Sequence, residues 1–433
     1  MNWLLAIPLE LRLVFLFVLG ALLGSLANLA AYRLAWHARS ISPWSSPDPR
    51  AKELKIPPRR LFDLMPIWGW LGLTREVPLH GRGFWIRPML VELACAFGLA
   101  WLYWWEIDQV ALLPAGPGGM MPAGWMPVVH VQFAVHAFLI WLMLAASLID
   151  ADEKTIPDAI TVPGTLLALL IATVYPLSLL PALVTPFAAG GVPNELGFIT
   201  ITAPNKMPIR LDACPATASL LIAMGCWCLA CFALMRRDWY TRHGWARAFT
   251  ILCARLRREP STWWLCAMAL VGCAAIAAVW AFSSAAWAGL ITALVGMAAA
   301  GGLIWAIRII ASAVLRREAM GFGDVTLMAM LGAFLGWQAC LIIFFFAPIV
   351  ALIVGLIVLV LKRDNEIPYG PFLCLSALFV VIRWSSIWQW AELRFELGVL
   401  IPSIIIVCLV LLAVLLALLQ VFKSIFTRMF LKT

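Results

Sequence analysis

Charge is what this sequence most lacks. Only 12% of its 433 residues are Asp, Glu, Lys or Arg, while 64% are apolar; a soluble globular chain carries about 25% charged residues. With a mean hydropathy of +0.96, the chain cannot hide its apolar surface in one aqueous core, so lipid must be part of its solvent. Cysteine is missing from the longest polar stretch, residues 35–87, and most of the eleven cysteines sit inside apolar runs, as Cys226, Cys228 and Cys231 do. Thiols so placed behave as small hydrophobes. The single Cys228-x-x-Cys231 has no second pair with which to hold zinc. The five histidines form no His-Glu-x-x-His, and no Gly-x-Ser-x-Gly is present, which argues against a zinc protease and a serine hydrolase. No metal site is expected.

The apolar runs are continuous rather than alternating, which excludes barrel strands and specifies helices. A bilayer core of roughly 30 Å takes about 20 helical residues to cross. Candidate spans lie at 12–34, 89–105, 131–149, 159–182, 216–234, 264–282, 286–311, 321–337, 340–361, 370–384 and 397–420, with a sharp turn expected at Gly336-Trp337-Gln338. The expectation is an all-α membrane bundle of nine to eleven transmembrane helices with a small polar loop region. Its parts would be a first helix in 1–34, a Pro- and Trp-rich subdomain in 35–87, a membrane body in 88–384 with an inserted helix pair around 216–282, and an additional helix in 385–433. Small residues at Ala27-Asn28-Leu29-Ala30 imitate a signal cleavage site. The run has no basic excess before it, however, so a retained helix is the better reading.

The net charge of +9 could suggest nucleic acid, but the positions of the basic residues explain it otherwise. If the N-terminus lies outside, only Arg12, Lys206, Arg210, Arg383 and Arg394 of the 31 Lys and Arg residues are external. The rest line the short cytoplasmic segments, including Lys154 and the stretch from Arg236 to Arg258, as the positive-inside rule requires. The net charge is thus an orienting device, and no nucleic-acid partner is implied.

Ionisable residues at the ends of apolar helices carry the chemical information. One apolar run ends in Ser147-Leu148-Ile149-Asp150-Ala151-Asp152-Glu153, followed by Ile156-Pro157-Asp158. Asp158 beside Pro157 reads equally as a first-turn helix residue, and Asp152 and Glu153 as solvated acids. Asp150 directly continues the apolar run. The second cluster is Met320-Gly321-Phe322-Gly323-Asp324, whose glycines leave room for another backbone to approach; alone it reads equally as a capped helix start. Paired, the clusters put two carboxylates at one membrane depth on one side. Such carboxylates share a proton, so one can activate water while the other protonates a scissile carbonyl.

These segments resemble the bacterial type IV prepilin peptidases of the GxGD aspartyl protease group. Glu318 through Asp324, continuing through Leu331-Gly332-Ala333-Phe334-Leu335-Gly336-Trp337, is similar to that family's second catalytic segment, and Ser147 to Asp158 to its first. Gly24-Ser25-Leu26-Ala27-Asn28 with Tyr32-Arg33 resembles its first helix, Arg87 to Leu93 the end of its cytoplasmic loop, and Ile367-Pro368-Tyr369-Gly370-Pro371-Phe372 its segment before the last shared helix. The resemblance implies Asp150 and Asp324 as catalytic residues, with Asp158 and Pro157 supporting. It also implies a substrate with a short basic leader before an apolar helix, a prepilin or pseudopilin, cut in the inner membrane at its cytoplasmic face without a cofactor. The substrate would lie against Gly321, Phe322 and Gly323, with Asp152 and Glu153 attracting its basic leader. The sequence departs from the family in lacking the loop's two cysteine pairs, a zinc staple for which packed Trp and Pro are the expected replacement, and in carrying Thr326 where Lys is usual. Because the loop is implicated in methyl transfer from S-adenosylmethionine, that second activity is left open. A catalytically silent scaffold of pilus or secretion machinery and an ion-coupled transporter are the alternatives.

Overall fold

The computed structural model describes residues 7–114, 118–121, 124–184, 195–204, 216–235, 247, 250–251, 253–254, 258–315, 320–360, 368–398 and 400–430. Glu318, Ile367, Cys214, Lys206, Arg210, Lys362 and most of the basic stretch from Arg236 to Arg258 lie outside the described residues.

The long apolar runs all become helices: α1 (Leu9–Leu34), α2 (Ile86–Tyr103), α3 (Met126–Glu153), α4 (Asp158–Val174), α5 (Thr217–Ala233), α6 (Pro260–Phe282), α7 (Ser284–Leu315), α8 (Phe322–Val360), α9 (Gly370–Ile382), α10 (Trp384–Phe395) and α11 (Leu400–Phe430). Among the described residues, seven are long and apolar enough to cross a membrane, and α9 with α10 forms a broken pair bent by 93°. The chain is therefore a multi-pass helical membrane protein. The expected span 159–182 proves shorter: α4 ends at Val174, and the chain enters a small antiparallel hairpin, β1 (Pro181–Val184) with β2 (Glu195–Phe198).

The expected turn at Gly336 is present. Gly336 has φ 82° and ψ 166°, backbone that only glycine adopts without strain, and it interrupts α8. Just beyond it, Trp337 Nε1 donates to Ile201 O at 3.0 Å and Gln338 Nε2 to Thr200 O at 2.7 Å. Phe346 then packs against Phe379 at 5.5 Å, near the end of α9. A straight helix passing Gln338 would have left that level behind, so the chain turns back and α8 is two helices.

The same end of the bundle holds the hairpin, whose irregular backbone needs partners because lipid offers none. Gln132 Nε2 donates to Leu177 O and Leu179 O, Trp384 Nε1 to Pro181 O, and Trp105 Nε1 to Ile382 O. Long donors thus satisfy carbonyls at the start of β1, in the turn leading into it and at the end of α9.

At the opposite end sits the polar stretch 35–87, built of short helical turns. Its links are ionic rather than the expected packing of Trp and Pro alone. Trp70 and Leu73 are buried, but Arg59 is the hub. It bonds both oxygens of Glu76 at 2.8 and 2.9 Å and the carbonyls of Ser40, Ser42 and Ser45. Arg75 pairs with buried Asp63. The subdomain is tied to the membrane body by Glu92, 1% exposed, which accepts from Ser25 Oγ at 2.6 Å, Asn28 Nδ2 at 3.4 Å and the Ile67 amide. A buried carboxylate is tolerated only when so bonded, which accounts for Ser25 and Asn28 in an otherwise apolar helix.

Candidate active site

Helix α3 runs unbroken to Glu153 and stops because Lys154 takes a left-handed conformation, φ 56°, with its amide returning to Asp150 O at 2.8 Å. Asp150 therefore occupies the last turn of α3. Pro157, with ψ 134°, is extended backbone and opens α4 at Asp158. Helix α8 begins at Phe322, which places Asp324 in its first turn, and α9 begins at Gly370. Four helix ends meet at one side of the bundle.

The fold brings Asp150 and Asp324 together. They are 4% and 8% exposed, and the Asp150 charge acts on Asp324, as does that of Arg308. The Gly370 amide donates to Asp150 Oδ2 at 3.1 Å. A carboxylate near a helix C-terminus faces the negative end of that helix's dipole; the N-terminus of α9 offsets this for Asp150, while Asp324 has the N-terminus of its own helix. A Cβ on Gly370 would lie 2.5 Å from Asp150 Oδ2, so only glycine lets this amide so close. Cys374, one turn into α9, is hydrogen-bonded to Ser147 and lies within the fields of both carboxylates. Tyr369 stands at the other flank, where burial and then the Asp324 charge push its phenol up to about 12. It stays protonated and able to donate.

The remaining expected residues divide. Asp158 is hydrogen-bonded to Thr326, whose hydroxyl also lies 3.1 Å from Gly323 O. The residue that departs from the usual Lys thus fastens the start of α4 to the start of α8. Gly323 faces the chain itself: a Cβ there would meet Ile156 backbone N and O at 3.0 Å. Phe322 packs with the Arg308 guanidinium 5.7 Å from its ring centroid. Gly321 alone borders open space, with Asp324 Oδ2 at 3.9 Å from where a Cβ would be.

Asp152 and Glu153 are engaged within the chain. Glu153 accepts the Trp36 and His37 amides, and Asp152 pairs with Arg39 at 3.5 Å and with Arg87. They line a cavity of about 740 Å³ that leads past Trp36, Ile156 and Asp158. Both acids are already paired within the chain, and Asp158, the third acid of the lining, is hydrogen-bonded to Thr326. The residues do not fit zinc: loop 35–87 has no cysteine, and no metal-ligand cluster occurs among the described residues.

Gly370 and Ser147 enter the site from segments the sequence pointed to, without a role of their own there, and Cys374 was not among the residues named. Gly370 carried a signal, since a glycine between Tyr369 and Pro371 marks a constrained turn; Ser147 and Cys374 read as ordinary helix residues.

Comparison with known proteins agrees with this layout. Residues 137–200 and 259–356 match the model of the type IV leader peptidase family, and these segments hold Asp150 and Asp324. A prepilin leader peptidase/N-methyltransferase of Aeromonas salmonicida is 33% identical over 103 residues, 23% of this chain and 34% of that protein. One of Legionella pneumophila is 45% identical over 74 residues, 16% and 26%, and one of Pseudomonas putida 27% over 174 residues, 36% and 52%. The matches cover between about a quarter and half of these curated relatives. No solved structure matches the chain. Through the two matched segments, the chain is similar to the type IV leader peptidase family.

Proposed function

We propose that the chain is an intramembrane aspartyl endopeptidase that removes the short basic leader of type IV prepilins or pseudopilins. The observation that carries this reading is the convergence of buried Asp150 and Asp324, drawn from helix ends 174 residues apart in sequence, beneath the Gly370 amide. Members of the family are named for leader cleavage, and two carboxylates suffice for that reaction.

In the proposed mechanism one carboxylate is ionised and takes a proton from water as the oxygen attacks the scissile carbonyl. The other, protonated, gives its proton to the carbonyl oxygen. Collapse of the tetrahedral species breaks the C–N bond, and the amine leaves with a proton returned from the pair. Asp158 and Thr326 position α8, and the Gly370 amide holds Asp150. The basic loop 35–87 and Lys154 share the site's end of the bundle, and the positive-inside rule therefore supports a site at the cytoplasmic face of the inner membrane with the N-terminus outside. The substrate's cleavage segment would enter beside Gly321. Because Asp152 and Glu153 are already paired, their attraction for a basic leader would act only where Arg39 or Arg87 is displaced. Methyl transfer is not part of the proposal.

The test co-expresses the chain with a prepilin and identifies the product's N-terminus by mass spectrometry. Leader removal that is lost in both Asp150→Asn and Asp324→Asn is expected; removal that persists in both would refute the proposed pair.

A further inference from the structure

Between α2 and α9, floored by α1 and α3, runs an apolar cavity of about 440 Å³, the size of a small ligand pocket. It begins at Ser147 and Pro371 and ends at Leu102 and Ile382. Pro371 to Ile382 spans roughly 16 Å of helix. The far end is closed by Trp105, which donates to Ile382 O at 2.9 Å and stacks on Trp101 at 5.7 Å. The near end lies beside the aspartates, which do not themselves line it: Ser147 lies one turn from Asp150, Pro371 follows the Gly370 that bonds it, and Cys374 is within the field of both carboxylates. On its lipid side the rim is exposed at Gly98 and Leu375, and a Cβ on Gly98 would meet nothing within 4 Å. The void there is real space, not a packing contact.

We propose that this slot seats the apolar helix of the substrate, which enters from the lipid and lays one face between α2 and α9 while the bond to be cut lies at Asp150 and Asp324. The inference rests on the peptidase reading and names where that substrate is held. Over roughly 16 Å a helix presents about four side chains on one face, at i, i+3, i+4 and i+7, and the slot holds several side chains of that kind. Its lining is almost wholly apolar, which suits a membrane helix and excludes a charged leader. Nearness to the aspartates favours a peptide over a lipid tail, because the slot's near end at Ser147 is one helical turn from Asp150. The cavity on the other side of the bundle, beside Trp227 and Phe322, measures about 80 Å³, too little for a helix face. The closed end at Trp105 would set how deep the docked face reaches.

The experiment uses the full chain in proteoliposomes with a purified prepilin. Gly98→Phe fills the slot, and Gly355→Phe, at a glycine of α8 that likewise meets nothing within 4 Å, is the control. Gly98→Phe is expected to raise KM roughly tenfold or more with a smaller change in kcat, and Gly355→Phe to leave both unchanged. In parallel, a photoreactive benzoylphenylalanine replaces Leu375 at the rim or Leu352 on the lipid-exposed face of α8, in an Asp324→Asn background. Cross-linking to the prepilin helix from position 375 and not from 352 supports the seat even if Gly98→Phe does not fold. An unchanged KM, or capture of lipid alone at position 375, overturns it. Wild-type protein that cross-links at 375 but cleaves nothing refutes the peptidase reading and leaves the seat standing.

Discussion

Arg59→Ala should loosen loop 35–87 far more than an average surface substitution would. The pair it breaks is buried, with side chains 9% and 5% exposed for Arg59 and Glu76. Removing one partner of such a pair costs about 3–5 kcal/mol, because the other charge is left unsolvated. Three carbonyls, those of Ser40, Ser42 and Ser45, lose their donor as well. At about 1.4 kcal/mol per tenfold, local opening should rise by roughly two to three and a half orders of magnitude. Hydrogen exchange with mass spectrometry of the lipid-reconstituted protein reads this directly, as lost protection across 40–80 with the membrane helices unchanged. Arg59→Met with Glu76→Leu should recover much of the protection, since an apolar pair can replace a buried ion pair at little cost. The loop also carries Trp36, His37 and Arg39 to Glu153 and Asp152 beside the aspartates, so prepilin cleavage should fall with the protection. Protection across 40–80 within about threefold of wild type in Arg59→Ala, well under the 1.4 kcal/mol of a tenfold change, would refute the hub.

Gly370→Ala should reduce kcat by roughly 100-fold with the fold retained, since a methyl 2.5 Å from Asp150 Oδ2 displaces the carboxylate, and misplacement by about 1 Å can cost that much; near-wild-type turnover would contradict the geometry. Asp150→Asn and Asp324→Asn should each lower kcat at least 10²–10⁴-fold, the usual contribution of a positioned acid or base, measured as leader removal per enzyme. Loop 35–87 should lose stability on acidification in two stages. Burial holds His80 below its ordinary value, so the unfolded loop protonates first and stability falls as pH drops below about 6.5. For Asp63, burial acts upward, but hydrogen bonds from Arg75 and the Arg60 amide hold it below the ordinary carboxylate range. Its contribution is full above about pH 4 and is lost as pH falls through the folded value. Exchange protection that rises between pH 7 and 5.5 would contradict this. Zinc chelators should leave both loop protection and cleavage unchanged, checked on one sample with and without chelator.

The membrane helices were legible because lipid imposes a length and an apolarity that composition displays directly, and Gly336 because a turn between two apolar runs needs a residue that tolerates positive φ. The end of α4 at Val174 was not: Pro176 marks a break, but apart from Ser178 the stretch Tyr175 to Leu180 stays apolar, and Gln132, far along the chain, takes the freed carbonyls. Asp150 and Asp324 stood out as acids at the ends of apolar runs. What Asp152 and Glu153 do could not be read the same way, because their partners Arg39, Arg87 and the Trp36 and His37 amides arrive from a loop more than 60 residues away.

The departures from the family pattern follow one physical logic. A zinc staple holds a small loop by four strong ligands; here Arg59 achieves a comparable closure with five hydrogen bonds to Glu76 and three carbonyls. Thr326 in place of Lys removes a cation from the mouth of the site and supplies a hydroxyl that reaches both Asp158 and Gly323 O. The positive potential near the carboxylates then comes from the N-termini of α8 and α9 and from Arg308, not from a side chain two residues after Asp324. Fixed backbone dipoles need no reorganisation as charge shifts between two carboxylates. Thr326→Lys should therefore weaken the site by breaking the Asp158 link; higher turnover in that variant, measured as leader removal per enzyme, would show that the cation and not the helix ends governs the pair.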